Sequence, residues 1–228
     1  MILWNSMNTI FRKTINQENK TNSITMKKQE LEKEVNALIE RTFCTITNLY
    51  EGKDGKTRLS FPHHTHGVDK DKQRVSEQEL RQLFIEELNR YADEKRLSLK
   101  YSIEVPTRMK YRFPKDGDPK VCEDGVSGRF DLTIWLDGKM VSIIEFKEGN
   151  ATCNNYKKDL CKLMNEDEGE EDTLRYFVNI LEDSNKKTVE SIDGKFRDYI
   201  KGRKTIHLWI LSMGIHRQRN RFVKQIVY

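Results

Sequence analysis

Residues 127–147 read SGRFDLTIWLDGKMVSIIEFK. Two apolar runs rich in strand formers flank Asp137-Gly138, a dipeptide that favours a tight turn, so the segment predicts a β-hairpin. Asp131, Glu145 and Lys147 interrupt these strands. Side chains alternate sides along a strand, so the register decides whether the three charged groups share a face. A two-residue loop sets Leu136 against Lys139 and Asp131 against Ile144, which sends Asp131 and Glu145 to opposite faces. A three-residue loop of Leu136, Asp137 and a left-handed Gly138 sets Trp135 against Lys139 and Asp131 against Ile143. That register gathers Asp131, Thr133, Trp135, Val141, Ile143, Glu145 and Lys147 on one face. Phe130, Leu132, Ile134, Ile144 and Phe146 take the other. It is the register expected, because it collects the charged groups at the open end of the hairpin.

The flanking sequence predicts the rest of an α/β domain. Residues 27–44 carry Leu31, Val35, Leu38 and Ile39 at helical spacing. Ser76 and Glu79 form a capping box that opens a second helix, whose inward stripe is Leu80, Leu83, Phe84, Leu88 and Tyr91. Residues 97–107 read as a strand ending at Pro106, with RMKYRF adding a short one and KDGDPKVCEDGVSG a loop. After the hairpin come a helix over 155–165, the strand TLRYFVNIL, the helix TVESIDGKFRDYIK and the strand KTIHLWILSM. The order from Ser76, α-β-β-β-α-β and then α-β, predicts a mixed central sheet flanked by helices. Residues 1–25 read as a polar tail, 26–74 as an N-terminal helix and loop, and 75–228 as the α/β domain.

Charged residues make up 34% of the chain and apolar ones 36%, a polar balance that still supplies a core. The net charge of +5 says little about partners, but its distribution says more. Nine Lys and Arg fall in residues 195–228 against one acid, Asp198, and Arg217, Arg219 and Arg221 cluster in RQRNR. Such a surface suits a polyanion, and a solvated basic face accounts for it equally. The stretch EDEGEED at 166–172 is the acidic counterweight. Four cysteines without a C-x-x-C pair read as free thiols in a reducing cytoplasm. No run of about 18 apolar residues is present to span a membrane. His63, His64 and His66 lack a fourth ligand at zinc spacing and read as a solvated loop.

Two carboxylates on one face repel each other unless a cation sits between them. Mg²⁺, which takes oxygen ligands, meets that need, and Mn²⁺ can substitute for it. Lys147, two residues beyond Glu145 on the same face, is then placed to hold a water or to neutralise a phosphate. The competing reading is a buried salt bridge, which stabilises little once desolvation is counted.

Asp131, followed on the next strand by Glu145-Phe146-Lys147 within an αβββαβ order, resembles the PD-(D/E)XK nuclease superfamily, although Phe130 stands where its signature has Pro. The resemblance covers roughly residues 76–181. It implies a restriction-endonuclease-like fold, here with an N-terminal helical extension. It also implies that Asp131 and Glu145 bind Mg²⁺, that Lys147 positions or activates the attacking water, and that phosphodiester bonds are hydrolysed, in DNA more often than in RNA. Many members add an acid from the helix before the first strand. Of Glu77, Glu79, Glu86 and Glu87, Glu79 is the expected ligand and Glu87 its competitor, while the capping box explains Glu79 without a metal. Glu104 is a further candidate for the metal shell, or an ordinary strand-end carboxylate. Tyr156, Lys157, Lys158 and Asp159 resemble a Y-x-K-D stretch that often borders this site. Lys158 and Tyr156, with Arg217, Arg219 and Arg221, are the expected nucleic-acid contacts. The expectation is a cytoplasmic metal-dependent nuclease with DNA as partner, working as a homodimer or with a partner subunit. Its alternative is a silent nucleic-acid-binding or protein-interaction module on the same fold.

Overall fold

The computed structural model of the chain describes residues 28–53, 57–62, 74–115, 117–149, 153–182, 184–200, 204–213 and 222–228. The chain divides into two compact units, 1–31 and 32–228, and the sheet lies in the second. The helices are α1 (Lys28–Tyr50), α2 (Glu77–Lys95), α3 (Cys153–Met164) and α4 (Lys186–Tyr199). The strands are β1 (Leu99–Arg112), β2 (Lys120–Val121), β3 (Val126–Leu136), β4 (Lys139–Glu148), β5 (Leu174–Leu181), β6 (His207–Ser212) and β7 (Phe222–Val227).

Among the described residues these strands form one sheet in the order β2-β1-β3-β4-β5-β6-β7. The pairs β4–β5 and β5–β6 are parallel and the others antiparallel. The parallel pairs are those joined through α3 and α4, since a parallel return needs a crossover. β5 and β6 are buried along their whole lengths, as expected of parallel strands covered on both faces.

Cross-strand register assigns the layers. Phe146, Val178 and Trp209 lie in one row, and Glu145, Phe177 and Leu208 in the next. The first row meets α1 and α2: Phe84 packs 5.7 Å from Phe146, Phe43 lies 6.3 Å from Trp209, and Trp209 Nε1 donates to Asn36 Oδ1. The five-residue stripe of α2 is buried as its spacing requires. Burying each such side chain contributes at most about 1.5–3 kcal/mol. The second row meets α3 and α4, where Tyr156, Leu160, Leu163, Val189, Ile192 and Phe196 close a core over Ile143 and Phe177. Phe130 joins this core, not the α1/α2 side that strict alternation predicts. Phe130 still pairs with Val105 of β1, but Glu104, between the pairs Ile103–Leu132 and Val105–Phe130, has a left-handed φ that breaks the regular pleat here.

Four elements depart from the sequence expectation. The segment KDGDPKVCEDGVSG, read as a loop, holds β2 and the start of β3. Pro106 does not end a strand; β1 runs through it for 14 residues. Pro106 pairs with Arg129 of β3 as the last residue before an irregularity in the β1–β3 ladder that lasts to Lys110, a bulged place where proline is tolerated. Ser76 is the N-cap of α2, but its hydroxyl donates to the Glu79 carboxylate instead of accepting a backbone N–H. The segment after RQRNR forms β7, antiparallel to β6, which was not expected.

Candidate metal centre

The hairpin brings Asp131 beside Glu145, as expected, but by another route. Asp137 and Gly138 both have left-handed φ, 50° and 80°, and Leu136 pairs with Lys139, so the loop has two residues, not three. This is the turn that Asp-Gly favours, because its twist matches that of the strands. Trp135 then pairs with Met140, but Ile134 pairs with Ser142, so Val141 is an extra residue. A β-bulge of this kind shifts everything beyond it by one position. Without the bulge Asp131 would come level with Ile144; with it, Leu132 faces Ile144 and Asp131 comes level with Glu145. Here the strands part, and the Phe146 N–H donates to Asp131 Oδ2 at 2.7 Å.

Asp131 is half-buried and Glu145 only 1% exposed. Burial lifts the Asp131 carboxyl above its ordinary range, against the Phe146 N–H, with Asp159 adding to the rise and a hydrogen bond from Glu145 opposing it. Burial lifts Glu145 further, in spite of Lys162, with Asp159 and Asp131 as the next causes. The Asp131 carboxylate thus adds to the cost of ionising Glu145.

Two lysines answer this charge. Lys162 Nζ lies 2.6 Å from Glu145 Oε1 and 3.1 Å from Asp159 Oδ1, and donates to Arg129 O at 2.6 Å. Glu145 Oε1 is thus charge-paired at short range. Lys147 Nζ lies 2.9 Å from Glu77 Oε1 and 3.4 Å from Asp159 Oδ2. Burial works against its charge, but Asp159 and then Glu77 outweigh it, and the ammonium is held above the ordinary lysine range. Lys147 is a charged donor at neutral pH.

The other expected residues fall at different places. Glu79 meets Ser76 and lies 4.0 Å from Arg74, contacts confined to the start of α2. Glu87 accepts from Thr45 of α1 and from Arg90, at 3.2 and 2.5 Å. Of the four acids of α2 considered, Glu77 is the one placed against Lys147. Glu104 lies between the pairs Ile103–Leu132 and Val105–Phe130, level with Asp131, and has a left-handed φ of 52°. Its carboxylate reaches Arg81 at 2.8 Å and Arg129 at 4.0 Å. A non-glycine residue in this conformation costs about 1–2 kcal/mol.

Tyr156 is buried in the α3/α4 core, where its hydroxyl donates to Gly149 O at 3.1 Å and accepts from Asn179 at 3.1 Å. Lys158 is exposed, with Nζ 5.9 Å from the Phe113 ring centre. Arg217, Arg219 and Arg221, like His63, His64 and His66, lie outside the described residues. Lys162 had not been singled out. The available signal was its spacing, three residues after Asp159, beside the inward stripe Tyr156, Leu160 and Leu163.

A hard-oxygen pair whose two negative charges are mutually costly fits a hard dication. Mg²⁺ needs one or two protein carboxylates, taking water or phosphate for its other ligands. Among the described residues no group of three or more His, Cys, Asp or Glu is arranged to hold a metal ion. Asp131 and Glu145 are oxygen donors of the kind Mg²⁺ takes, with the Lys162 ammonium already against Glu145 Oε1. No helix among the described residues is long and apolar enough to cross a membrane. No family model, curated protein or solved structure matches the chain.

Proposed function

We propose that the chain is a metal-dependent nuclease of the restriction-endonuclease-like fold that hydrolyses phosphodiester bonds in DNA. The observation that carries this reading is the bulge at Val141, which brings Asp131 level with Glu145 and leaves Lys147 on the same face. A two-residue turn alone would have scattered the three groups. The run α2-β1-β3-β4-α3-β5 supports the αβββαβ core, with β2 as a two-residue addition.

Asp131 and Glu145 are the residues that would hold an ion, which would supply charge neutralisation and polarisation of the scissile phosphate. The remaining work belongs to this chain's side chains. Lys147, fixed between α2 and α3 by Glu77 and Asp159, presents an ammonium. An ammonium donates hydrogen bonds and cannot accept a proton. Its role is therefore to orient the attacking water or bind a phosphate oxygen, and not to take the water's proton. The Phe146 N–H bond holds Asp131 in place.

The test is cleavage of supercoiled plasmid, linear duplex, single-stranded DNA and RNA in Mg²⁺, Mn²⁺ or EDTA, beside Lys147→Ala with unchanged circular dichroism. Metal-dependent cutting that falls by about two orders of magnitude or more in the variant supports the reading. A second reading, a binding module that does not cut, is favoured by one contact: the Lys162 ammonium already neutralises Glu145. Nucleic-acid binding in EDTA with no cutting in either metal would establish that alternative.

A further inference from the structure

The Lys162 ammonium sits among three oxygens brought from three elements: Glu145 Oε1 of β4 at 2.6 Å, Arg129 O of β3 at 2.6 Å and Asp159 Oδ1 of α3 at 3.1 Å. Two carboxylates and a backbone carbonyl are the hard-oxygen set that a divalent ion also takes. The side chain is 8% exposed, and its Nζ lies 5.8 Å from the Phe130 ring centre. The fold is shaped to admit it. A Cβ added at Gly128 would come within 3.0 Å of Lys162 Cδ, so a larger residue there would crowd the stem. Asp159 uses its other oxygen on Lys147, which ties the two lysines to one carboxylate.

We infer that Lys162 is a resident cation: its ammonium occupies a position built by Glu145, Asp159 and the Arg129 carbonyl, and keeps a divalent ion out of it. The site then takes one ion, at Asp131 and Glu145, and not two. This deepens the proposed nuclease function, but it rests on that reading only for the one ion expected in the unaltered chain. Removing the ammonium and its stem vacates a position already lined by oxygen.

The experiment counts Mn²⁺ bound by the full chain and by Lys162→Ala, from the free-ion electron paramagnetic resonance signal and by calorimetry. The expected result is one ion in the unaltered chain and two in the variant. Thermal unfolding supplies a second readout if the variant is unstable in EDTA. Mn²⁺ at roughly 100-fold over its Kd should raise the variant's Tm by about 5–10 °C more than that of the unaltered chain. No ion in the unaltered chain but one in Lys162→Ala would uphold the resident cation and overturn the metal-dependent nuclease. Equal ion counts with equal Mn²⁺ shifts in Tm, or a variant that stays unfolded with Mn²⁺, would overturn the resident cation.

Discussion

Replacing Lys162 by methionine keeps the volume of the stem and removes the charge from Glu145. Glu145 is buried, and Lys162 is the cation at short range of its Oε1. Breaking a buried ion pair from one side costs about 3–5 kcal/mol, because the other charge is left uncompensated. For a chain of this size each kcal/mol moves Tm by about 2–4 °C, so Lys162→Met should lower Tm by roughly 6–20 °C in EDTA. The reverse change is milder. In Glu145→Met the ammonium keeps Asp159 and the Arg129 carbonyl, and the cost of burying the carboxylate disappears. Its expected loss is about 1 kcal/mol. The double variant, with an apolar pair in place of the ionic one, should recover most of the Lys162→Met loss. The penalty of Lys162→Met should also shrink on acidification, because Glu145 can then take a proton in place of its lost cation. Urea and thermal unfolding of the four proteins at two pH values measure all of this. A Lys162→Met loss under about 1 kcal/mol, or an equal loss in Glu145→Met, would refute the assignment of Lys162 as the charge partner.

Asp131→Asn keeps an acceptor for the Phe146 N–H and removes the buried charge. The folded pKa of Asp131 is raised, so the folded state binds its proton more tightly than the unfolded chain. Stability is then lost as pH rises from about 4, the ordinary aspartate value, through the folded pKa, and the loss is complete above it. In EDTA the variant should therefore have the higher Tm at pH 7.5 and converge with the unaltered chain near pH 4; a variant less stable at pH 7.5 would contradict this. Glu168→Ala strands three donors, the N–H groups of Arg108 and Met109 and the Tyr111 hydroxyl, all now received by one buried carboxylate. Unfolding in urea should show a loss of about 3 kcal/mol or more, and a change within 0.5 kcal/mol, roughly that of a surface substitution, would show the clasp to be idle.

Much of the fold was legible because it rests on patterns of local origin. The α2 stripe, the start of α2 after Ser76 and the place of the Asp-Gly turn are set by neighbours along the chain, and each appears where the sequence places it, although Ser76 makes no capping hydrogen bond. The shared face of Asp131, Glu145 and Lys147 was legible for another reason: charge in an apolar strand is costly enough to require an explanation. What failed was the device. A three-residue loop and a two-residue loop followed by a bulge give the same parity, and nothing in GKMVSII marks Val141 as the extra residue. The acidic stretch misled in a similar way. Six of its seven residues are charged, as on a solvated face, yet Glu168 is buried as the clasp between β1 and the turn after α3.

By itself the sequence determined the helices and the strands from β3 to β6, the place of the turn, most of the apolar faces, and which strands carry the carboxylates. These follow from propensity and periodicity, which act over a few residues. Only the tertiary structure decided which acid of α2 meets Lys147, which carboxylates draw together, and that a lysine of α3 neutralises Glu145. Those choices depend on how helices sit over the sheet, where a difference of one or two residues along a helix turns a side chain toward or away from the site. Glu77 and Glu79 differ by two residues on one helix; one reaches Lys147 of the sheet, and the other meets the serine that caps its own helix.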